Sequence, residues 1–251
     1  MQIQDKIHQR LSYLMHTPEE RDLKKQNLNK ENKNKILSLK NKYKGERCFI
    51  VGTSPSINSL DLTKLSNEHT FTVNRGYLLK EQGLIHSDFH ILVDKRAFLD
   101  TASNPHLLEG FSSMFFCYCA NKSDINIDTC YIDLLNPKLS SKFFEEDMLK
   151  PLIDPYSVIF SAIQIAYYLG FKDIYLIGVD LDFNKNKGHA YKETKGEKER
   201  QITISTPEAS IVLDYLDKYT KYLNERNVNI YNASPVGIVE CMPRVKYEEL
   251  F

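Results

Sequence analysis

Gly52-Thr53-Ser54-Pro55-Ser56 follows directly on the apolar run "CFIV" and sets three hydroxyl groups around a proline. A glycine at that point lets the backbone come close to a ligand, and hydroxyls donate to oxygen, which together suit a phosphate or a nucleotide. No Gly-Lys-Ser/Thr follows, and Gly52 is the only glycine of the turn, so it is neither a Walker loop nor a GxGxxG fingerprint. Taken alone, the stretch also reads as a plain strand-to-helix turn. Other apolar runs end in the same manner: Asn74 and Arg75 follow "TFTV", Asp94 follows "HILV", and Gly178 and Asp180 follow "IYLI". If these runs are parallel strands, their polar ends converge on one rim of a sheet, where ligands bind. Each residue alone would equally suit a helix cap or an Asx-turn.

His189, in "NKGHAYKE", is a histidine, a residue type that suits a general base toward a hydroxyl. It lies in a polar stretch with Lys185, Lys187, Lys192 and Lys195, expected to close over the rim as a lid and screen phosphate charge. A solvated loop is the plainer account of those lysines. Asp180 and Asp182 form an Asp-x-Asp pair of the kind that holds a divalent ion on a diphosphate, although three-residue matches arise readily by chance. Arg244 and Lys246, near the end of the chain, serve either the ligand or the surface.

The elements that must position these residues follow from periodicity. "RCFIVG", "TFTVN", "DFHILVD", "SSMFFCYC" and "KDIYLIGVD" read as buried strands, and "VNIYNAS" closes the chain. Between them, "YSVIFSAIQIAYYLG" reads as a helix closed by Gly170, and "TPEASIVLDYLDKYTKYLNERN" as another that begins at Thr206-Pro207. Strands alternating with helices imply an α/β, Rossmann-like, mostly parallel sheet with helices on both faces. Residues 1–45 are rich in Lys, Asn and Glu and read as a helical arm interrupted near Thr17-Pro18; residues 46–251 are expected to form one Rossmann-like nucleotide-binding catalytic domain. The region from 95 to 150 yields no ligand assignment.

The chain has 251 residues, 42% of them hydrophobic, enough for a sizeable core. Lys+Arg and Asp+Glu balance at 33 each, so no overall basic field recruits nucleic acid. The five cysteines form no CxxC pair and read as reduced core residues of a cytosolic protein. No apolar run approaches the length of a membrane span, so a cytoplasmic location is expected. The arm leaves a peripheral membrane contact and a homo-oligomer open.

"IVGTSPSINSLD", "FTVNRGYL", "LGFKDIYLIGVDLDF" and "IYNASPVGIVECMPRV" together resemble the bacterial carbohydrate-locus family that includes the sialyltransferase-like glycosyltransferases and the archaeal hydroxymethylpterin diphosphokinase-like proteins. The resemblance runs over roughly residues 47–250. It implies a sialyltransferase-like variant of the GT-A fold, a CMP-activated nonulosonic sugar donor, a glycan acceptor and no obligatory cofactor or metal. Carried over by motif, Gly52, Thr53, Ser54, Pro55 and Ser56 would hold the nucleotide phosphate, Asn74 would sit on the donor side and Ser157 would approach the nucleotide; Arg75, Asp94 and Gly178 join this binding set from their places at the strand ends. Asp180 falls on the aspartate of the family's Gly-x-Asp block. Thr53 stands where an asparagine is frequent, and Val158 is the formal partner of the family serine beside Ser157.

Two departures bear on mechanism. Asp182 stands where the first of a tyrosine pair would be, leaving Tyr191 as the second, and "RQITIST" lacks the family's catalytic histidine. His189 is the replacement, so His189, Asp180 and Tyr191 form the candidate catalytic set. The leading expectation is a surface-glycan glycosyltransferase. Its alternatives are magnesium-dependent pyrophosphate transfer from ATP to a pterin-like alcohol, anchored by Asp180 and Asp182, and a non-catalytic nucleotide-binding protein. Gly52→Val is expected to abolish nucleotide binding at little cost in stability, provided φ at Gly52 is negative.

Overall fold

The computed structural model describes residues 17–84, 86–117, 128–182, 188–193 and 206–251. In chain order the described elements begin with helices α1 (Pro18–Asn27) and α2 (Lys30–Leu39), then strands β1 (Arg47–Val51), β2 (His69–Val73) and β3 (Ser87–Leu92). Helix α3 (Lys95–Ser103), strands β4 (Phe111–Cys117) and β5 (Asp128–Ile132), and the short strands β6 (Leu134–Leu135) and β7 (Leu152–Ile153) follow. Helix α4 (Val158–Leu169), β8 (Asp173–Ile177), α5 (Thr206–Asn224) and β9 (Asn229–Asn232) complete the fold. Seven strands pair in parallel in the order β5-β4-β3-β2-β1-β8-β9, while β6 and β7 pair apart.

Burial on both faces explains why the central strands read as unbroken apolar runs. Along β1, Cys48 and Ile50 enter one core while Phe49 and Val51 enter the other. Helices α2, α4 and α5 cover the first face through Ile36, Ile163 and Leu216 among others. The opposite face is covered by 3-10 turns, Pro55–Ser59 and Leu62–Asn67, and by Tyr247. Beyond them α3 packs Ala97 and Phe98 against Leu92 and Phe111.

Helix α4 is apolar nearly all round because it lies between the sheet and α5. Ser157 caps its start by accepting from the Ile159 N–H, and Gly170, at φ +94°, closes its end with bonds to Ala166 and Tyr167. Phe160 in it is fully buried against Tyr219, 4.9 Å between ring centroids, so Phe160→Ala removes roughly 3–5 kcal/mol.

Residues 17–39 pack on the body. Thr17 and Glu20 form a capping box at the start of α1, so the interruption expected near Thr17-Pro18 is a helix start. Asn32 then bonds the free edge of β5 in both directions, Nδ2 to the Tyr131 carbonyl at 2.9 Å and Oδ1 from the Tyr131 N–H at 2.7 Å. A side-chain amide thus stands in for the missing strand neighbour and blunts the edge. Residues 1–16 lie outside the described residues.

Cys48 and Cys130 are buried free thiols and Cys241 is a half-buried one; Cys119 lies outside the described residues. Among the described residues no helix is long and apolar enough to cross a membrane.

Strand β1 has β2 on one side and β8 on the other. The chain therefore reverses its direction of travel across the sheet at β1, and the crevice beyond the carboxyl ends of β1 and β8 is where a ligand site is expected.

Candidate functional site

A cleft of about 580 Å³ opens at that crevice. Its floor is a backbone-to-backbone contact: Gly52 N–H donates to the Ile177 carbonyl at 2.8 Å and Ser54 N–H to the Gly178 carbonyl at 3.0 Å. A Cβ on Gly52 would lie 2.2 Å from the Gly178 carbonyl oxygen, and Gly178 itself is at φ +64°. The sequence expectation for Gly52→Val is thereby corrected. Valine meets backbone whatever its φ, so the change costs stability as well as binding.

Thr53, Ser54, Asn74, Arg75, Asp94, Ser157 and Gly178 line this cleft with Gly52, so strand ends far apart in sequence do share one rim. Asn74, at φ +45°, accepts at Oδ1 from the N–H groups of Val93 and Asp94, both at 3.1 Å, and so ties the end of β2 to the end of β3. Asparagine tolerates that left-handed backbone. Arg75 forks onto Asp100 at 2.8 and 2.5 Å. Asp94 caps α3 by accepting from the Arg96 N–H at 2.8 Å and pairs with the Arg96 guanidinium at 3.1 Å. Burial alone would raise the Asp94 pKa, but the hydrogen bonds from Arg96 outweigh it and hold the carboxyl below its ordinary range. The N-termini of α3 and α4 both border the cleft, and each brings the positive end of a helix dipole to it.

Pro55, Ser56 and Asp180 do not line the cleft, which corrects the expectation that they touch ligand. Asp180 is 1% exposed and its carboxylate accepts from Ser56 twice, from N–H at 3.2 Å and from Oγ at 2.5 Å. Its own N–H donates to Ser54 Oγ at 3.2 Å. Burial raises the Asp180 pKa against the lowering effect of the Ser56 bonds. Asp180 is thus a clamp beneath the turn: it holds Ser54 and Ser56 and does not line the cleft. With both oxygens so occupied it is a poor cation ligand, which weakens the proposed Asp180/Asp182 metal pair. Arg244 is spent on the carbonyls of Ser234 and Gly237 at 2.6 and 3.1 Å, and Lys246 pairs with Glu249 on the surface.

From the expected lid, residues 188–193 are described; Lys185, Lys187 and Lys195 lie outside the described residues, and Lys192 is exposed. Ala190 N–H donates to the Thr53 carbonyl at 2.8 Å, and Gln82 Nε2 donates to the Ala190 carbonyl at 3.0 Å. This places both His189 and Tyr191 against the cleft, their rings stacked at 4.8 Å between centroids. His189 Nδ1 pairs with the carboxylate of Glu193. A carboxylate facing Nδ1 favours the tautomer that carries its proton on Nδ1.

Sequence reading assigned no role to Glu193, Gln82 or Arg96. Glu193 lies four residues beyond His189, a spacing without meaning until the loop is seen to fold back. Gln82 is remote in sequence and carries no motif. Also missed was the backbone of Tyr156 and Leu181, which line the cleft at φ +66° and +51°.

Solved structures share the fold. The MAf glycosyltransferase from Magnetospirillum magneticum AMB-1 superposes with a TM-score of 0.55 at 19% identity over 84% of this chain. This chain spans about a third of that protein's length, 35%. A tyrosine variant of the Campylobacter jejuni sialyltransferase CST-II, in complex with CMP, gives a TM-score of 0.50 at 16% identity, covering 79% of this chain and 85% of the other. At these identities the likeness is one of fold. No curated protein matches the sequence. Residues 24–186, well over half of the chain, match the family described as 6-hydroxymethylpterin diphosphokinase MptE-like, and the protein belongs to that family.

Proposed function

We propose that the protein is a glycosyltransferase that moves an acidic, nonulosonic-type sugar from a CMP-activated donor to a hydroxyl of a glycan acceptor, in the cytoplasmic assembly of a surface polysaccharide. The observation that carries this reading is the His189–Glu193 pair, held by Ala190 directly over the glycine floor at the β1–β8 crevice. Such a pair suits a general base, and it shares one cleft with Thr53, Ser54 and the start of α4, which suit an anion.

In this reading the donor phosphate lies against Gly52, Thr53 and Ser54. The Thr53 hydroxyl and Asn74 Nδ2 have no acceptor among the described residues and donate to phosphate oxygens. The N-terminus of α4, with the Ser157 hydroxyl, adds positive potential. His189 Nε2 takes the proton from the acceptor hydroxyl as its oxygen bonds the anomeric carbon. The bond from that carbon to the phosphate oxygen breaks, and CMP leaves with the electron pair. Glu193 stabilises the imidazolium so formed, and Tyr191 holds the ring in plane by stacking.

Family membership favours a second reading, pyrophosphate transfer from ATP to the alcohol of a pterin. The same floor and base would serve it, and magnesium would supply charge neutralisation on the triphosphate. The carboxylates present fit that ion poorly, since Asp180 is committed to Ser56 and Asp94 to Arg96.

The deciding experiment is product analysis with purified protein, offering a CMP-nonulosonic acid with a glycan acceptor, and ATP with magnesium and a hydroxymethylpterin. Glycan-dependent release of CMP, lost in His189→Ala, is the expected result. AMP release from ATP instead establishes the second reading. CMP binding with neither product marks a non-catalytic nucleotide-binding protein.

A further inference from the structure

Five non-glycine residues among those described have positive φ: Asn41, Asn74, Tyr156, Leu181 and Asn227. The three asparagines are ordinary, because their short amides tolerate the left-handed region. Leu181 packs partly buried on the main core, which compensates for its backbone. Tyr156 has no such compensation. It is 47% exposed, and its ring meets no other ring among the described residues, yet it stands at φ +66° on the rim of the cleft. A bulky side chain held there costs backbone energy that glycine would not, so something other than packing accounts for the tyrosine.

Two sets of side chains line the cleft: Asn74, Arg75, Asp94 and Arg96 at the ends of β2 and β3, and Tyr156, Val158 and Ile159 at the start of α4. The glycine floor and Ser157 line it with them. A sugar nucleotide has two parts to match: a charged or hydroxyl-rich sugar on one side of the phosphate and a flat base on the other. We infer that Tyr156 is the platform on which the nucleobase stacks, while the arginine set faces the sugar. This inference rests on the reading of the cleft as a nucleotide site. It adds a residue that discriminates nucleotides from simple phosphorylated sugars. A stacked base is worth a roughly 5- to 150-fold gain in affinity, and the ring alone supplies it, so phenylalanine serves as well as tyrosine.

The test titrates CMP and, as the base-free probe, ribose 5-phosphate into wild type, Tyr156→Phe and Tyr156→Gly, with the thermal midpoint of each variant recorded. The expected result is wild-type CMP affinity in Tyr156→Phe and a loss of roughly 5- to 150-fold in Tyr156→Gly, with ribose 5-phosphate unaffected in all three. The midpoint of Tyr156→Gly is expected to hold or rise as the strain is relieved. Equal CMP affinity in wild type and Tyr156→Gly overturns the inference, as does an equal loss of both ligands. Failure of wild type to bind CMP at all instead refutes the nucleotide reading on which it rests, a distinguishable outcome.

Discussion

The turn Gly52–Ser56 and the segment 188–193 meet at a backbone hydrogen bond, Ala190 N–H to the Thr53 carbonyl at 2.8 Å, yet they are held by different means. The turn is fixed on every side. Gly52 and Ser54 bond to the end of β8, Asp180 clamps Ser54 and Ser56 from below, and Val179 N–H reaches Ser234 Oγ at 3.2 Å. The upper segment meets the turn at that Ala190 hydrogen bond, Gln82 holds the Ala190 carbonyl, and Tyr191 is buried beside it. Its ionisable groups, His189 and Glu193, pair with each other. Position and candidate chemistry are thus supplied separately: a backbone floor that cannot give, and a strip that carries the His189–Glu193 pair. Substitutions below should lower stability and binding together, and substitutions above should alter turnover with the fold intact.

The largest expected effect tests the floor. Gly52→Val drives a side chain into the Gly178 carbonyl, and the protein should fail to accumulate folded, read by circular dichroism and a lost unfolding transition. A folded Gly52→Val protein that still binds CMP would break the comparison at its base. Next comes the upper strip, where His189→Ala should cut turnover by roughly 10² to 10⁴ while the thermal midpoint and CMP affinity stay at wild-type values. A fall in stability there would show the strip to be part of the floor.

Asp180→Ala removes both acceptors of Ser56, leaves a buried N–H unpaired, and should cost roughly 1–3 kcal/mol in denaturant unfolding, with CMP affinity falling alongside. A pH-dependent effect concerns the sheet below the floor. Burial pushes the His90 pKa from 6.5 down to about 3, so the folded state holds that ring neutral where the unfolded chain is protonated. Its contribution is full above pH 6.5 and is lost as pH falls from 6.5 toward 3. The unfolding free energy of wild type should decline through that window, and His90→Gln should decline less.

Much of this fold was legible because buried parallel strands advertise themselves as apolar runs, and Gly52 and Gly178 mark where β1 and β8 stop. Strand β5, reading "DTCYI", was not, because an edge strand capped by the side chain of Asn32 lacks the continuous apolar run of a central one. The rim residues Asn74, Arg75 and Asp94 were found from their places at strand ends, and Ser157 from the family resemblance. Asp180 was found but misjudged, since its partner Ser56 lies 124 positions away and only folding turns a candidate reactive carboxylate into a buried clamp. Tyr156 was invisible as a strained residue, because nothing in "DPYSV" announces a positive φ.

The most direct test of the central claim, that a nucleotide phosphate rests on the Gly52–Ser54 floor, is a thermal-shift panel with CMP, CDP, UDP, GDP, AMP and ATP, each with and without magnesium. A ligand present at 100 times its dissociation constant adds about 2.7 kcal/mol, a rise of several degrees for a chain of this size. The account predicts such a rise with CMP, equal with and without magnesium. A rise with ATP alone, and only with magnesium, would contradict the proposed donor, and no rise with any nucleotide would contradict the site itself.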